Sequence, residues 1–213
     1  VGSNTRVLLA QPYLSDTVAA LKKRGAQIIN SLYPLGVEGT LAWFQAAAVE
    51  WGHSEESVKN ALAIPIARAQ KALAQVRDPL VGRSIHFLPD SQLEIPLARF
   101  LSEECGMSLA EVATPFLDQS LMSTELARLS PETRVVEGSN LDAALSRVRN
   151  TRPDLTVCGM GIANPLEAEG LRTKWSIELV FTPIQGFDQV ADLAGLFARP
   201  LVREKKLEVG SWS

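Results

Sequence analysis

Cysteine is scarce: Cys105 and Cys158 are the only two in 213 residues, 53 positions apart and both in largely apolar surroundings. Such a pair builds neither a disulfide framework nor a zinc site by itself, so two buried, reduced thiols of a cytosolic-type protein are expected. Histidine is equally scarce. His53 and His86 fall at no familiar metal spacing, support no Ser–His–Asp or Cys–His arrangement, and accompany no Gly-x-Ser-x-Gly elbow. Aromatic residues are 6% of the chain, which leaves little stacking surface for bases or sugars. There is no basic excess: 21 Lys and Arg face 24 Asp and Glu for a net charge of −3, a poor match to nucleic acid or an anionic membrane. No uninterrupted apolar stretch approaches the ~18 residues of a membrane span. At 46% apolar content and this length, a core forms without staples.

What is present is an alternation of short apolar runs and helical stretches. Residues 5–11 read as a buried strand around Val7, Leu8 and Leu9. Residues 16–24 read as a helix with Ser15 as N-cap and Gly25 as its stop, and 26–30 as a second strand. Together they predict a β-α-β unit with parallel pairing. Thr40 is the expected cap of a helix over 41–51. Ser54 and Ser57 open a helical stretch over 54–76 that Pro65 should kink, and Asp78-Pro79-Leu80 is the best linker. Further strands are predicted at 84–88, 107–113, 133–137 and 155–158. Helices are predicted from an Asp90 cap to 104, near 123–129, over 140–149 with Ser139 as cap, from Asn164-Pro165 to Gly170, and over 187–198 until Pro200 breaks the last. Residues 174–181 read as apolar and extended. The alternation predicts an α/β fold with a Rossmann-like, doubly wound parallel sheet.

In such sheets ligands sit beyond the carboxyl ends of strands, which singles out the loops at 12–15, 33–40, 89–94 and 159–165. Gly159-Met160-Gly161 begins like a dinucleotide fingerprint but lacks its third glycine, leaving tight packing or a ligand or subunit contact. Glu167 and Glu169 share a short helix. Glu178 falls in an apolar run, where burial would raise its pKa, although pairing with Arg or Lys is the simpler reading. Trp175 beside Lys174 either faces a flat hydrophobic ligand or packs in a core or interface. His86 reads as a hydrogen-bonded sheet residue and His53 as a cation at a helix end. The residues alone reach a parallel α/β module with no self-contained active site, one that borrows catalytic groups from another segment or subunit.

A longer set of motifs carries a resemblance. Asn164-Pro165-Leu166-Glu167-Ala168 is followed by Thr173-Lys174-Trp175-Ser176-Ile177-Glu178, then Phe181 with Ile184-Gln185-Gly186-Phe187, then Ala198-Arg199-Pro200-Leu201. Earlier come Pro34-Leu35-Gly36-Val37-Glu38-Gly39-Thr40 with Ala42-Trp43, the run Gln92-Leu93-Glu94-Ile95-Pro96-Leu97-Ala98-Arg99-Phe100-Leu101, and Glu104-Cys105-Gly106-Met107. Over essentially its whole length the chain resembles the C-terminal half of the N subunits of light-independent (dark-operative) protochlorophyllide reductases, a nitrogenase-like family.

The resemblance implies nitrogenase-component-1-like domains: part of a second Rossmann-like domain over 1–77, a third over 78–185, and a C-terminal helix and tail over 186–213 returning toward a first domain. The start at Val1-Gly2-Ser3-Asn4, without Met, fits the expectation of a partial subunit, inactive alone. The implied reaction reduces the C17–C18 double bond in ring D of protochlorophyllide to give chlorophyllide a. The implied partners are the B subunit of the same reductase, in an N–B heterotetramer, and an ATP-hydrolysing iron–sulfur reductase, so that ATP binds the partner only. A [4Fe–4S] cluster is expected in the intact subunit pair, on three cysteines of the first domain and an aspartate of the B subunit. No metal ligand or catalytic residue is carried over onto this chain. An aspartate of the B subunit is the implied proton donor, with the substrate's own propionate as a second. The implied location is the cytoplasm of a bacterial phototroph or a chloroplast stroma. The expected substrate wall is Gly159, Met160, Gly161, Lys174 and Trp175, with Gly36, Glu38, Gly39 and Thr40 as a second cavity loop. The alternatives are the matching subunit of chlorophyllide reductase or of a nitrogenase-cofactor scaffold, or a non-catalytic α/β ligand-binding module.

Overall fold

The computed structural model describes residues 1–138 and 140–207. Strands β1 (Arg6–Leu8) and β2 (Gln27–Ile29) pair in parallel across helix α1 (Ser15–Lys23), with Val7 opposite Ile28. Helices α2 (Gly36–Glu50), α3 (Glu55–Ala61) and α4 (Ala63–Val76) follow. A second sheet holds β3 (Ser84–Phe87), β4 (Ser108–Thr114), β5 (Val135–Glu137), β6 (Leu155–Cys158) and β7 (Thr173–Trp175). Its order is β5-β4-β3-β6-β7 and every pairing is parallel. The intervening helices are α5 (Glu94–Glu103), α6 (Gln119–Leu126), α7 (Leu141–Thr151) and α8 (Met160–Ala168); α9 (Glu178–Phe181) and α10 (Val190–Leu207) close the chain. The order grows from β3 toward β5, then reverses to β6 and β7. Right-handed crossovers therefore place α5 and α6 on one face and α7 and α8 on the other. The doubly wound parallel α/β sheet expected from the sequence is the one that forms.

Side-chain alternation along the strands divides the interior in two. Ile85, Phe87, Leu155 and Val157 face a large core that also takes residues of α2, α4, α5 and α10, whereas Leu88 and Cys158 face a smaller one with Val148, Ala163 and Leu166. Cys105 and Cys158 are both free and buried, one in each core.

A buried ionic clasp joins the start of α2 to α5 and α6. Arg99 is 0% exposed. Its Nε donates to Glu125 at 2.6 Å, its Nη1 to Glu104 at 3.3 Å, and its Nη2 to the Leu35 carbonyl at 2.8 Å. The second oxygen of each carboxylate then receives backbone: Val37 N–H donates to Glu104 at 2.6 Å and Tyr33 N–H to Glu125 at 2.7 Å. A buried charge persists only when paired and fully hydrogen-bonded, and this cluster meets that requirement.

Several expected element ends move. Ser15 is the first residue of α1 rather than its cap. Helix α2 begins at Gly36, so Thr40 lies within it and donates to the Gly36 carbonyl at 2.6 Å. The stretch expected over 54–76 breaks at Leu62, and Pro65 sits in the first turn of α4, where no intrahelical donor is needed. Asp90 does not cap α5; its N–H donates to Glu94 at 2.9 Å. The Ser139 cap lies outside the described residues, and Asn140 caps α7 instead, accepting from Ala143 N–H at 3.1 Å. Helix α8 begins at Met160, well before Asn164, and α10 runs through Pro200 because a buried stripe from Val190 to Leu201 outweighs the roughly 3 kcal/mol cost of proline. Of the segment expected to be extended over 174–181, only Lys174 and Trp175 lie in strand β7, and Glu178–Phe181 forms α9. His86 is fully buried, yet neither ring nitrogen makes a hydrogen bond, and Nε2 lies 3.6 Å from Glu111.

Two outcomes follow from the clasp. Arg99→Met, which strands two buried carboxylates, lowers unfolding free energy by about 3–5 kcal/mol in chemical denaturation. Burial, the largest influence on Glu104, lifts its carboxyl from 4.5 to about 7. Its contribution to stability is therefore complete below the unfolded value and lost as pH rises through the folded one. Glu104→Gln flattens the decline in thermal midpoint across that window relative to the parent chain.

Candidate substrate crevice at the strand ends

The strand order reverses between β3 and β6, and in open α/β sheets the carboxyl ends at such a switch point are where ligands bind. Glu94, itself buried, folds the loop after β3 by accepting from Asp90 N–H at 2.9 Å, Ser91 N–H at 2.6 Å and the Thr114 hydroxyl at 3.0 Å. Burial raises its pKa. Gln92 in that loop has φ of 64°, the left-handed region that a side chain of this size seldom enters. The loop after β6 is Gly159 alone, the N-cap of α8. A Cβ on Gly159 would come within 2.9 Å of Asp90 Oδ1, so the missing side chain makes room for that carboxylate.

After β7, Ser176 N–H extends the ladder by donating to the Cys158 carbonyl at 3.0 Å, and the Ser176 hydroxyl donates to Asp90. Leu179 N–H then donates to the Ser176 carbonyl at 3.0 Å, hanging α9 from this residue. Apolar side chains stand open around these ends: Met160 is 55% exposed, Trp175 36%, Ile177 38%, Val180 67% and Phe181 81%. Along the outer edge of β7 runs an open cleft of about 960 Å³ whose walls include Lys174, Trp175, Glu178, Arg199, Pro200 and Arg203. Lys174 is buried and paired with Glu178, as expected of that carboxylate, and burial, the largest influence, lowers its pKa. Thr173 reaches Glu167 of α8 on one face of the strand, so Trp175 shares that face and Lys174 takes the opposite one.

Gly159, Met160, Trp175 and Lys174 thus gather at the ends of β6 and β7, and Gly161 is exposed on the first turn of α8. Gly36, Gly39 and Thr40 are buried elsewhere, against the clasp; Glu38 is exposed. A Cβ on Gly36 would meet Glu104 Oε1 at 2.2 Å, and one on Gly39 would meet the Tyr33 carbonyl at 2.3 Å. The sequence does not single out Asp90 and Ser176 as site residues. It marks the loop at 89–94 as facing ligand, but nothing local says that β3 adjoins β6. Among the described residues, no three His, Cys, Asp or Glu side chains converge on a metal position. Cys105 and Cys158 lie in separate cores, so they do not fit as ligands of one iron–sulfur cluster. Burial pushes the Cys158 thiol up to about 12.

The fold defines a doubly wound parallel α/β module. The family model for nitrogenase component 1 type oxidoreductases matches residues 2–201, and the chain belongs to that family. Among similar curated proteins is the light-independent protochlorophyllide reductase subunit N of Halorhodospira halophila (strain DSM 244 / SL1), 60% identical over 98% of this chain and 49% of its own length. Those of Prochlorococcus marinus (strain MIT 9313) and Acidiphilium rubrum are each 56% identical, over 97% and 98% of this chain and 50% of their own lengths. The chain spans about half the length of these relatives. Solved structures of nitrogenase Cp1 share the fold. The one at pH 5 aligns with a TM-score of 0.70 at 14% identity over 98% of this chain and 49% of that one. The one at pH 6.5 aligns at 0.66 and 12% identity over 88% and 46%.

The two glycine groups respond differently to a methyl group. Gly39→Ala meets fixed backbone and loses about 2 kcal/mol or more. Gly161→Ala, with no atom within 4 Å of its Cβ, is neutral or gains up to about 1 kcal/mol from helix propensity. Denaturant midpoints of the two variants separate these outcomes.

Proposed function

We propose that this chain works as part of the N subunit of a light-independent protochlorophyllide reductase. There it forms a wall of the pigment site during reduction of ring D to chlorophyllide a. The observation that carries the reading is the rim of exposed Met160, Trp175, Ile177, Val180 and Phe181 at the ends of β6 and β7. A flat macrocycle with a mostly apolar periphery needs such a surface, supported by a few placed polar groups. The names of relatives at 56–60% identity point to the same substrate. The chain's own part is to bind, orient and exclude water. Gly159 and Met160 back the crevice, Trp175 stands at the strand edge, and the pairing of buried Lys174 with half-exposed Glu178 holds the start of α9. The two electrons and two protons draw on groups outside these residues. The partners in this reading are the B subunit of the reductase and an ATP-hydrolysing iron–sulfur reductase. The compartment is the bacterial cytoplasm or a chloroplast stroma. No described helix is long and apolar enough to cross a membrane.

Trp175→Ala in the assembled reductase tests the reading. Pigment affinity, read from absorbance of the bound pigment, drops about tenfold, the equivalent of 1.4 kcal/mol of lost contact. Unchanged affinity and turnover would remove this rim from the pigment site.

A further inference from the structure

We infer that Asp90 and Ser176 act together as a positioning clip for the crevice, holding the apolar rim at the distance a bound planar ligand needs. This rests on the proposed pigment reading and names the residues that set the site's shape. Four independent observations converge on the clip. Asp90 leaves β3 and Ser176 leaves β7, so their hydrogen bond spans β6 and bridges three strand ends across the switch in strand order. Ser176 is 2% exposed and lies between the rim residues Trp175 and Ile177, with Leu179 N–H on its carbonyl at 3.0 Å. The backbone has been shaped to admit the carboxylate. Gly159 yields the space that a Cβ would take 2.9 Å from Asp90 Oδ1, and Glu94 turns the Asp90 loop through the unusual Gln92 conformation at φ 64°. Finally, Asp90 itself is exposed and makes no ion pair among the described residues, so its visible partner is the Ser176 hydroxyl.

An exposed carboxylate that spans three strand ends through a buried hydroxyl is a poor stabiliser of the fold, since its own desolvation is slight. Its effect is instead geometric. Without it, Ser176 keeps its backbone bond to Cys158, but the segment bearing Ile177, Val180 and Phe181 is no longer referred to β3. The crevice then loses its width before the fold loses its stability. In this role Asp90 and Ser176 are positioning residues that act through Trp175 and α9.

The test uses the assembled reductase with protochlorophyllide as the probe, comparing Asp90→Ala, Asp90→Asn, Ser176→Ala, the double alanine variant and Trp175→Ala. Asp90→Ala and Ser176→Ala are each expected to raise KM and weaken pigment binding about tenfold, as for loss of a charge-assisted hydrogen bond, with kcat and the thermal midpoint little changed. Asp90→Asn, which still accepts from Ser176, restores most of the affinity. The double variant is no worse than Ser176→Ala, because the Asp90 carboxylate serves that one contact whereas the Ser176 hydroxyl also lies 3.2 Å from the Cys158 carbonyl. The clip is overturned if both alanine variants bind pigment normally while Trp175→Ala does not, if the double loss is the sum of the singles, or if Asn fails to rescue Ala. If no variant, Trp175→Ala included, changes pigment affinity, the pigment lies elsewhere and the reading beneath the clip fails with it. Should Asp90→Ala not assemble, the affinity and KM of Ser176→Ala decide.

Discussion

The fold turns on a single guanidinium with no access to water. Arg99 binds two carboxylates and a main-chain carbonyl at once, and those carboxylates take up the N–H of Val37 at the start of α2 and of Tyr33 in the loop before it. The unit therefore joins the segment after β2 to the first two helices of the larger sheet. Removing any one charge leaves others buried without compensation, so the cluster behaves as a whole. Its specificity comes from geometry: glycines at 36 and 39 let the backbone close on Glu104 and Arg99, where a methyl group has no room.

On that frame the sheet presents two different ends. The end carrying the β3 and β6 carboxyl termini gathers polar groups that answer one another below a rim of apolar side chains open to their surroundings. Glu94, Asp90 and Ser176 shape the loops there through their hydrogen bonds, and the proposed reading places a flat, greasy molecule against the rim. The thiols are buried singly, on opposite sides of the sheet, and His86 is held neutral, its pKa lowered to about 4 chiefly by burial.

Much of this is readable without coordinates. The strand over Leu155–Cys158 announces itself as an apolar run ahead of a glycine, and Gly25, Gly106 and Gly170 stop their helices with positive φ. Pairing of Glu178 is expected, and Lys174 supplies it four residues back. Misplaced ends have a common cause in partners far along the chain. Helix α2 starts four residues before Thr40 because its free N–H is met by Glu104, 67 positions away. Helix α10 passes Pro200 because its apolar stripe is buried on the large core, which no local signal reports.

The chain alone determined the class of fold, the order of its elements and the family motifs, since these depend on periodicity and short-range stereochemistry. It could not decide which neighbour each glycine makes way for. Gly159 and Gly39 look alike in sequence, yet one adjoins the Asp90 carboxylate at the crevice and the other is pressed against the Tyr33 carbonyl. Only the strand order, set by packing two cores against one sheet, brings β3, β6 and β7 side by side. With them come Asp90 and Ser176, 86 positions apart, into one hydrogen bond.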